Sequence, residues 1–407
     1  PDGGSYVTAV GSQSLNANTA DSNSGIGYLA LNANTTGTAN TAVGRSSMAA
    51  NTTASYGTGV GMGALANNTT GANNTAVGYY ALVSNTTGAG NTALGKDSLD
   101  ANTTANNNTA IGYDALGANS TGATNTAIGA NAMVSNTTAA NNVAVGYASL
   151  DANTTGAGNT AVGTTALSAN TTAANNTAVG YDALLANTTG AQNTAVGGNA
   201  LDAATTVSYN VAVGYNSLSA NTTGTQNTAI GWGAGLGVTT GGDNTAIGSA
   251  VMYGGAGVTG TDNTGVGREA LHTVTTGSYN TAVGSAALKA HTTAADNTAV
   301  GYNAGAAITT GGLNCLLGSA SGDNITTGAQ NICIGNSTST SAVGSTNQIV
   351  MGQGVTGNSN DSFAFGNHGT DTLCTFGQTT WSAPSDIRMK EDIQDEVVGL
   401  DFITKLR

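Results

Sequence analysis

Apolar positions in this chain follow neither a helical period nor a long alternation. They fall in short clusters divided by Asn, Thr and Gly, and the clusters return every seventeen residues in the form N-T-A-V-G-Y-x-A-L-x-A-N-T-T-G-A-x. The reference glycine lies at Gly27, Gly44, Gly61 and Gly78 and holds phase to Gly248. After a two-residue insertion it resumes at Gly267 and continues to Gly352. Phase kept over this distance marks a chain of stacked, nearly identical units. Thr75–Asn91 serves as the type unit. Thr75-Ala76-Val77 alternates as a short strand, with Thr75 and Val77 on one face and Ala76 on the other. Gly78 permits a bend or a close backbone approach. Ala81-Leu82-Val83 predicts a second extended piece, and Asn85-Thr86-Thr87-Gly88 is turn chemistry. Glycine and β-branched residues recur where a helix needs straight-chain formers, which excludes helix.

The pattern predicts an all-β chain, a parallel β-solenoid (β-roll) of about 20 coils with 17-residue repeats. At the spacing of hydrogen-bonded strands, about 4.8 Å, twenty-odd coils make a rod of roughly 100 Å. Three ladders are expected along it: Leu82, Leu99 and Leu116 and their equivalents; Val77, Leu94 and Ile111 and theirs; and Asn74, Asn91 and Asn108, whose amides can bond along the stack. Both faces of the T-A-V strand are small or apolar, so one fills the coil and the other needs a partner. A homotrimer wound about a shared axis supplies it. The solenoid shaft is assigned to residues 1–352. Residues 353–384 break the phase and hold Phe363, Phe365, Phe376 and Trp381, which predicts an aromatic β-cap. In residues 385–407, Ile393, Val397, Leu400, Ile403 and Leu406 predict a short amphipathic helix.

Composition narrows the function classes. Only 7% of the 407 residues are charged, with 61 glycines and 2 prolines, and the net charge is −13. Low charge argues against disorder. An acidic balance without clustered Lys and Arg disfavours nucleic acid or an anionic membrane as partner, and no 18-residue apolar run predicts membrane insertion. Cys315, Cys333 and Cys374 read as buried small hydrophobes, and His272, His291 and His368, which lack ligand spacing, as solvent-facing. No metal or cofactor is expected. Gly241-Gly242-Asp243 and Ser321-Gly322-Asp323 read as turns, as do the many N-x-T/S triplets. Paired carboxylates of the kind that cut polysaccharides do not recur.

Two features suit a contact surface. The residue after the reference glycine is Tyr79, Tyr113, Tyr147, Tyr181 and Tyr215 in every second coil, with Lys96, Ala130, Thr164 and Gly198 between. The repeat is therefore a pair of coils. One reading is a packing rule in which each ring covers a smaller neighbour. The other is a row of rings about 9.6 Å apart, two coil spacings, that stacks on sugars. The second feature is the irregular stretch 249–262, where Met252, Tyr253 and a glycine-rich loop replace the standard turn one coil after Trp232, and insertions in solenoids bulge outward. Thr-Thr ladders on an uncharged face also allow an ice-binding solenoid.

Asn74-Thr75-Ala76-Val77-Gly78 and its copies resemble the N-S-V-A-I-G signature of trimeric autotransporter adhesin heads, which implies a trimer of β-rolls. The family's coil is usually a few residues shorter, so the Asn85-Thr86-Thr87-Gly88 turn would be a longer loop. Ser385-Asp386-Ile387-Arg388-Met389-Lys390-Glu391-Asp392-Ile393 resembles the S-D-x-R-x-K-x-x-I opening of the endosialidase-type intramolecular chaperone that ends many bacteriophage tail fibres, here only its start. That resemblance implies chaperone-directed trimerisation and a single-turnover self-cleavage at the Ser385–Asp386 bond. Ser385 would be the nucleophile and Lys390 the base that takes its proton. The function it implies is a trimeric tail-fibre shaft, on a virion or another extracellular surface. Its partners would be its own copies, other tail proteins and a host cell-surface glycan or protein receptor; a bacterial adhesin of trimeric autotransporter type is the alternative. Apart from that one cut, the chain reads as a non-enzyme.

Overall fold

The computed structural model describes residues 5–254, 257–367 and 372–377. The chain divides into two compact units, Pro1–Val266 and Gly267–Arg407. In both, the chain winds as a parallel β-solenoid, and no helix forms among the described residues. The first unit carries β1 (Thr8–Val10) to β16 (Thr264–Val266), each three residues long. Strands pair in parallel and in register: Thr75 lies beside Thr92, Ala76 beside Ala93 and Val77 beside Leu94. Identical residues thus stack in columns along the unit.

The alternation read from T-A-V is observed. Ala76 is fully buried, whereas Thr75 and Val77 face outward. The Val77 ladder therefore lies on the outer face of the sheet rather than inside the coil. The Leu82 ladder is interior, and its members have no exposed surface.

A second strand at Ala81-Leu82-Val83 is not formed. Ala81 and Leu82 are adjacent and both fully buried, which a strand with alternating side chains cannot achieve. The chain solves this with left-handed residues at Tyr80 (φ 54°) and Leu82 (φ 53°), which turn two consecutive side chains inward. Holding a leucine there costs about 1–2 kcal/mol, and its full burial returns about 1.5–3 kcal/mol. Hydrogen bonding between coils continues through the turn. Tyr80 N–H donates back to Met62 O at 3.0 Å, and Leu82 N–H donates forward to Ser98 O at 2.9 Å.

Two columns of buried asparagine complete the interior. Asn91 Nδ2 donates to Ala105 O at 2.9 Å, and its Oδ1 accepts Asn108 N–H at 2.9 Å. The asparagine of the N-T-T turn forms a second ladder. Asn85 Nδ2 donates to Asn68 Oδ1 at 2.8 Å and to Gly88 O at 2.9 Å. These asparagines are buried, so the N-T-T triplets present no accessible amide, whereas Asn73, Asn107 and Asn175, each followed by Asn-Thr, are exposed.

The second unit contains β17 (Thr281–Val283), β18 (Thr298–Val300), β19 (Cys315–Leu317), β20 (Ile332–Ile334), β21 (Gln348–Gln353), β22 (Ser362–Asn367) and β23 (Thr372–Thr375). β22 pairs in parallel with β21, Gln348 beside Ser362, so the last parallel coil is shortened. β23 then closes antiparallel on β22. The aromatic stretch thus begins as one more parallel coil, with the Phe363 and Phe365 rings 5.3 Å apart.

Here His291 takes the position of the second asparagine column and is fully buried, not solvent-facing. Its ring stands where the chain elsewhere holds an amide, and Asn297 Nδ2 lies 3.4 Å from Nε2. Burial pushes the imidazole down to about 4 from 6.5. Above pH 6.5 the ring is neutral both folded and unfolded and adds no pH dependence. As pH falls from about 6.5 towards 4, the unfolded chain binds the proton first, so stability is lost, by up to about 3 kcal/mol. His291→Asn restores an amide able to reach the Ala294 carbonyl. The variant's denaturation midpoint should pull ahead of the parent's between pH 7 and pH 4.5, and a constant gap would refute this assignment.

Candidate binding surfaces

The tyrosine row follows from the glycine column. Each reference glycine has a positive φ (Gly112, +137°), and the chain turns outward immediately after it. Tyr79, Tyr113, Tyr147, Tyr181 and Tyr215 are consequently exposed, at 43 to 60% of their surface. Lys96 stands between two of them, its Nζ 5.9 Å from the Tyr79 ring and 5.0 Å from the Tyr113 ring. The hydrogen bond that Lys96 Nζ donates to the Asp97 carboxylate raises the Lys96 pKa, which keeps the cation charged. A methyl at Gly198 would lie 3.4 Å from the Tyr215 ring, so a small residue sits against one side of that ring. The row therefore combines small intervening residues with open aromatic faces.

A polar column beside the tyrosines was not singled out from the sequence. The next residue is left-handed in every coil, and its short polar members in the first unit are Ser46, Asp97, Asp114, Asn131, Thr165, Asp182, Asn199 and Asn216. Asn and Asp tolerate that conformation better than other non-glycine residues, and this is the signal that identifies the column. The side chains hydrogen-bond along it: Thr165 to Asp182, and Asn199 Nδ2 to Asn216 Oδ1 at 3.2 Å. Carboxylate and amide groups thus lie next to the exposed rings.

At the insertion, the structure separates the three residues read as a contact patch. Trp232 is 51% exposed and stacks on half-buried Tyr253, with centroids 5.3 Å apart and ring planes at 21°. Gly233 makes the room: a Cβ there would meet Tyr253 Cε2 at 2.7 Å. Met252 is corrected. It has no exposed surface because it occupies the leucine position of its coil, with the same left-handed backbone (φ 50°). After it, a parallel bridge between Val238 and Val258 restores the stack.

The outer sheet face carries the third surface. Ile26, Leu94, Ile128, Ile230 and Ile247 are 37 to 45% exposed in one column of the first unit. Among the described residues of the unit, none covers these five side chains completely.

Of the cysteines, Cys333 is buried and its thiol is pushed up to about 12 by desolvation. Cys374 is half-buried, whereas Cys315 is exposed because it takes the outward threonine position of its strand, which corrects the buried reading. No cluster of His, Cys, Asp and Glu suited to a metal ion occurs among the described residues. No helix among them is long and apolar enough to cross a membrane. Ser385, Asp386 and Lys390, the C-terminal helix, Trp381 and His368 lie outside the described residues. Comparison with known protein families, with curated proteins and with solved structures yields no match.

Proposed function

We propose that this chain is a structural fibre protein: a homotrimeric β-solenoid shaft of a bacteriophage tail fibre, outside the host cell, that mediates attachment and is assembled by a C-terminal intramolecular chaperone. The observation that carries the reading is the outward aliphatic column. An in-register sheet with Val, Ile or Leu facing out in successive coils is an apolar stripe of the kind that marks an interaction surface, and copies of the same chain are the partners that match its period. The tyrosine row with its Asp and Asn column, and the Trp232–Tyr253 stack, offer ring faces and hydrogen-bond acceptors suited to a host glycan, or to a protein receptor. The resemblance of residues 385–393 to the chaperone opening favours a phage fibre. The coil resemblance alone favours the second reading, a bacterial adhesin of trimeric autotransporter type.

Native mass spectrometry of the chain tests the assembly and the cut together. The expected result is a trimer, with polypeptide mass ending at Ser385 and restored to full length by Ser385→Ala. Val162→Asp with Val179→Asp points two charges outward from the sheet and should dissociate the trimer while circular dichroism remains unchanged. A monomeric parent chain would overturn the fibre reading, and an uncut trimer would remove Ser385 and Lys390 from any catalytic role.

A further inference from the structure

The N-T-T turn contains two threonines, and the structure accounts for only one. The first is a structural residue: Thr86 Oγ1 donates to Thr103 O at 3.0 Å, and Thr52 Oγ1 to Thr69 O at 3.0 Å, tying each coil to the next. The second points into solvent. It recurs at Thr36 and every seventeenth residue to Thr240, thirteen coils in all, and again from Thr276 to Thr327 in the second unit. Every member is exposed. An exposed turn residue with no packing role is free to become Ser, Lys, Gln or Glu at little cost.

Other columns show that the chain does vary. The buried residue before the pair changes from Asn to Ala204 and Val238 in the first unit, and to Val274, His291 and Ile308 in the second. The exposed residue after the reference glycine runs through Tyr, Lys, Ala, Thr and Gly. The interior has drifted while a solvent-facing threonine has not. Simple duplication of the repeat would have preserved all columns alike. The constraint therefore comes from something outside the chain that contacts the threonines at a fixed period.

The face has a defined chemistry. Ala or Ser flanks the pair in most coils, such as Ala152 and Ala157 about Thr154-Thr155, so small neutral residues border the columns, with Asp100, Asp151 and Asp202 one position further out. Each threonine shows a methyl and a hydroxyl, repeated at about 4.8 Å along the stack. The first column is held in place by its hydrogen bonds, so little side-chain entropy remains to be lost on binding. A two-dimensional array of methyl and hydroxyl groups, rigid and without charge, offers little to a folded protein or an ionic polymer. It suits a ligand that is itself a lattice of hydrogen-bonding oxygens with a similar repeat, namely the surface of an ice crystal, whose waters can be ordered around the methyls and anchored on the hydroxyls.

We propose that the paired threonine columns form an ice-binding face. This does not depend on the fibre reading, since the threonines belong to the N-T-T turn and the aliphatic stripe to the strand.

Thermal hysteresis of the full chain, measured by nanolitre osmometry with uptake of the labelled protein into a growing ice hemisphere, tests the assignment. The expected result is a measurable hysteresis gap and uptake into ice. Thr138→Lys with Thr155→Lys, both at exposed positions, should abolish the gap while leaving the thermal midpoint by circular dichroism in place, whereas Thr164→Ala, an exposed site where another coil carries Ala130, leaves both unchanged. Absence of hysteresis and uptake in the parent chain overturns the proposal. Hysteresis that survives both threonine changes overturns it equally, by placing the activity elsewhere.

Discussion

Gly112→Ala, like the same change at the other reference glycines, should be among the most damaging single-methyl changes in the first unit. A Cβ at Gly112 would stand 2.5 Å from Gly129 O and 2.6 Å from its carbonyl carbon, both backbone atoms of the next coil. Neither can swing aside, because the coils are joined by hydrogen bonds on both sides of this point. The backbone φ of +137° adds strain that a Cβ makes expensive. Strain of about 1–3 kcal/mol and overpacking of about 1–3 kcal/mol sum to a local loss of several kcal/mol. Hydrogen exchange should show the coils around Gly112 and Gly129 losing protection, with coils far along the stack retaining it, because each coil contacts only its neighbours. Uniform protection across the unit would show that the coils can part at this column at little cost.

Asn125→Leu should come next. Leucine is close in size, so the change isolates the amide. Asn125 Nδ2 donates to Ala139 O at 2.8 Å, and Oδ1 accepts Asn142 N–H at 3.0 Å. Its own N–H donates to Asn108 Oδ1 at 2.8 Å and is kept by the variant. The substitution leaves the buried Asn142 N–H without its partner, at about 1–3 kcal/mol, while Ala139 O keeps the bond from Asn136 Nδ2 at 3.1 Å. Chemical denaturation should show a loss of about 1–3 kcal/mol on that basis. Asn85→Leu, in the other column, removes the bonds from its Nδ2 to Asn68 Oδ1 and Gly88 O and from Asn102 Nδ2 to its Oδ1, and tests that column separately. A neutral result at both sites would mean that the columns fill space rather than satisfy backbone groups.

The repeat, the parallel stacking and the inward alanine were legible because a period of seventeen and an alternation of two are both visible in the letters. The turn at Ala81-Leu82 was not. Left-handed leucine is rare, and no local pattern announces it. What places it there is the need to bury two neighbours at once, a demand set by the coil's cross-section. The same blindness put Met252 on the surface, since at an insertion the letters do not show which residue keeps the leucine place. His291 failed for a related reason: read alone it is a polar residue, whereas its register within the N-T-T column places it inside. Cys315 erred in the opposite direction, taking an outward threonine position. The exposed tyrosines were legible as a periodic row, but the polar column beside them became visible only through its backbone conformation.

The hydrogen bonds between coils also have a mechanical meaning. Between the Thr75 coil and the next, the bonds Leu82 to Ser98, Ser84 to Asp100, Thr86 to Thr103 and Asn107 to Ala89 all run along the stacking direction. A load applied evenly along that direction is shared by every bond in the gap, so the coils resist parting as a set. A load applied to the chain itself at a terminal coil meets those bonds one after another. The same unit is thereby stiff to an axial tug and easy to peel from an end. A tether attached through a lateral face would keep this strength, while one attached through a single chain terminus would unwind the stack in steps of one coil.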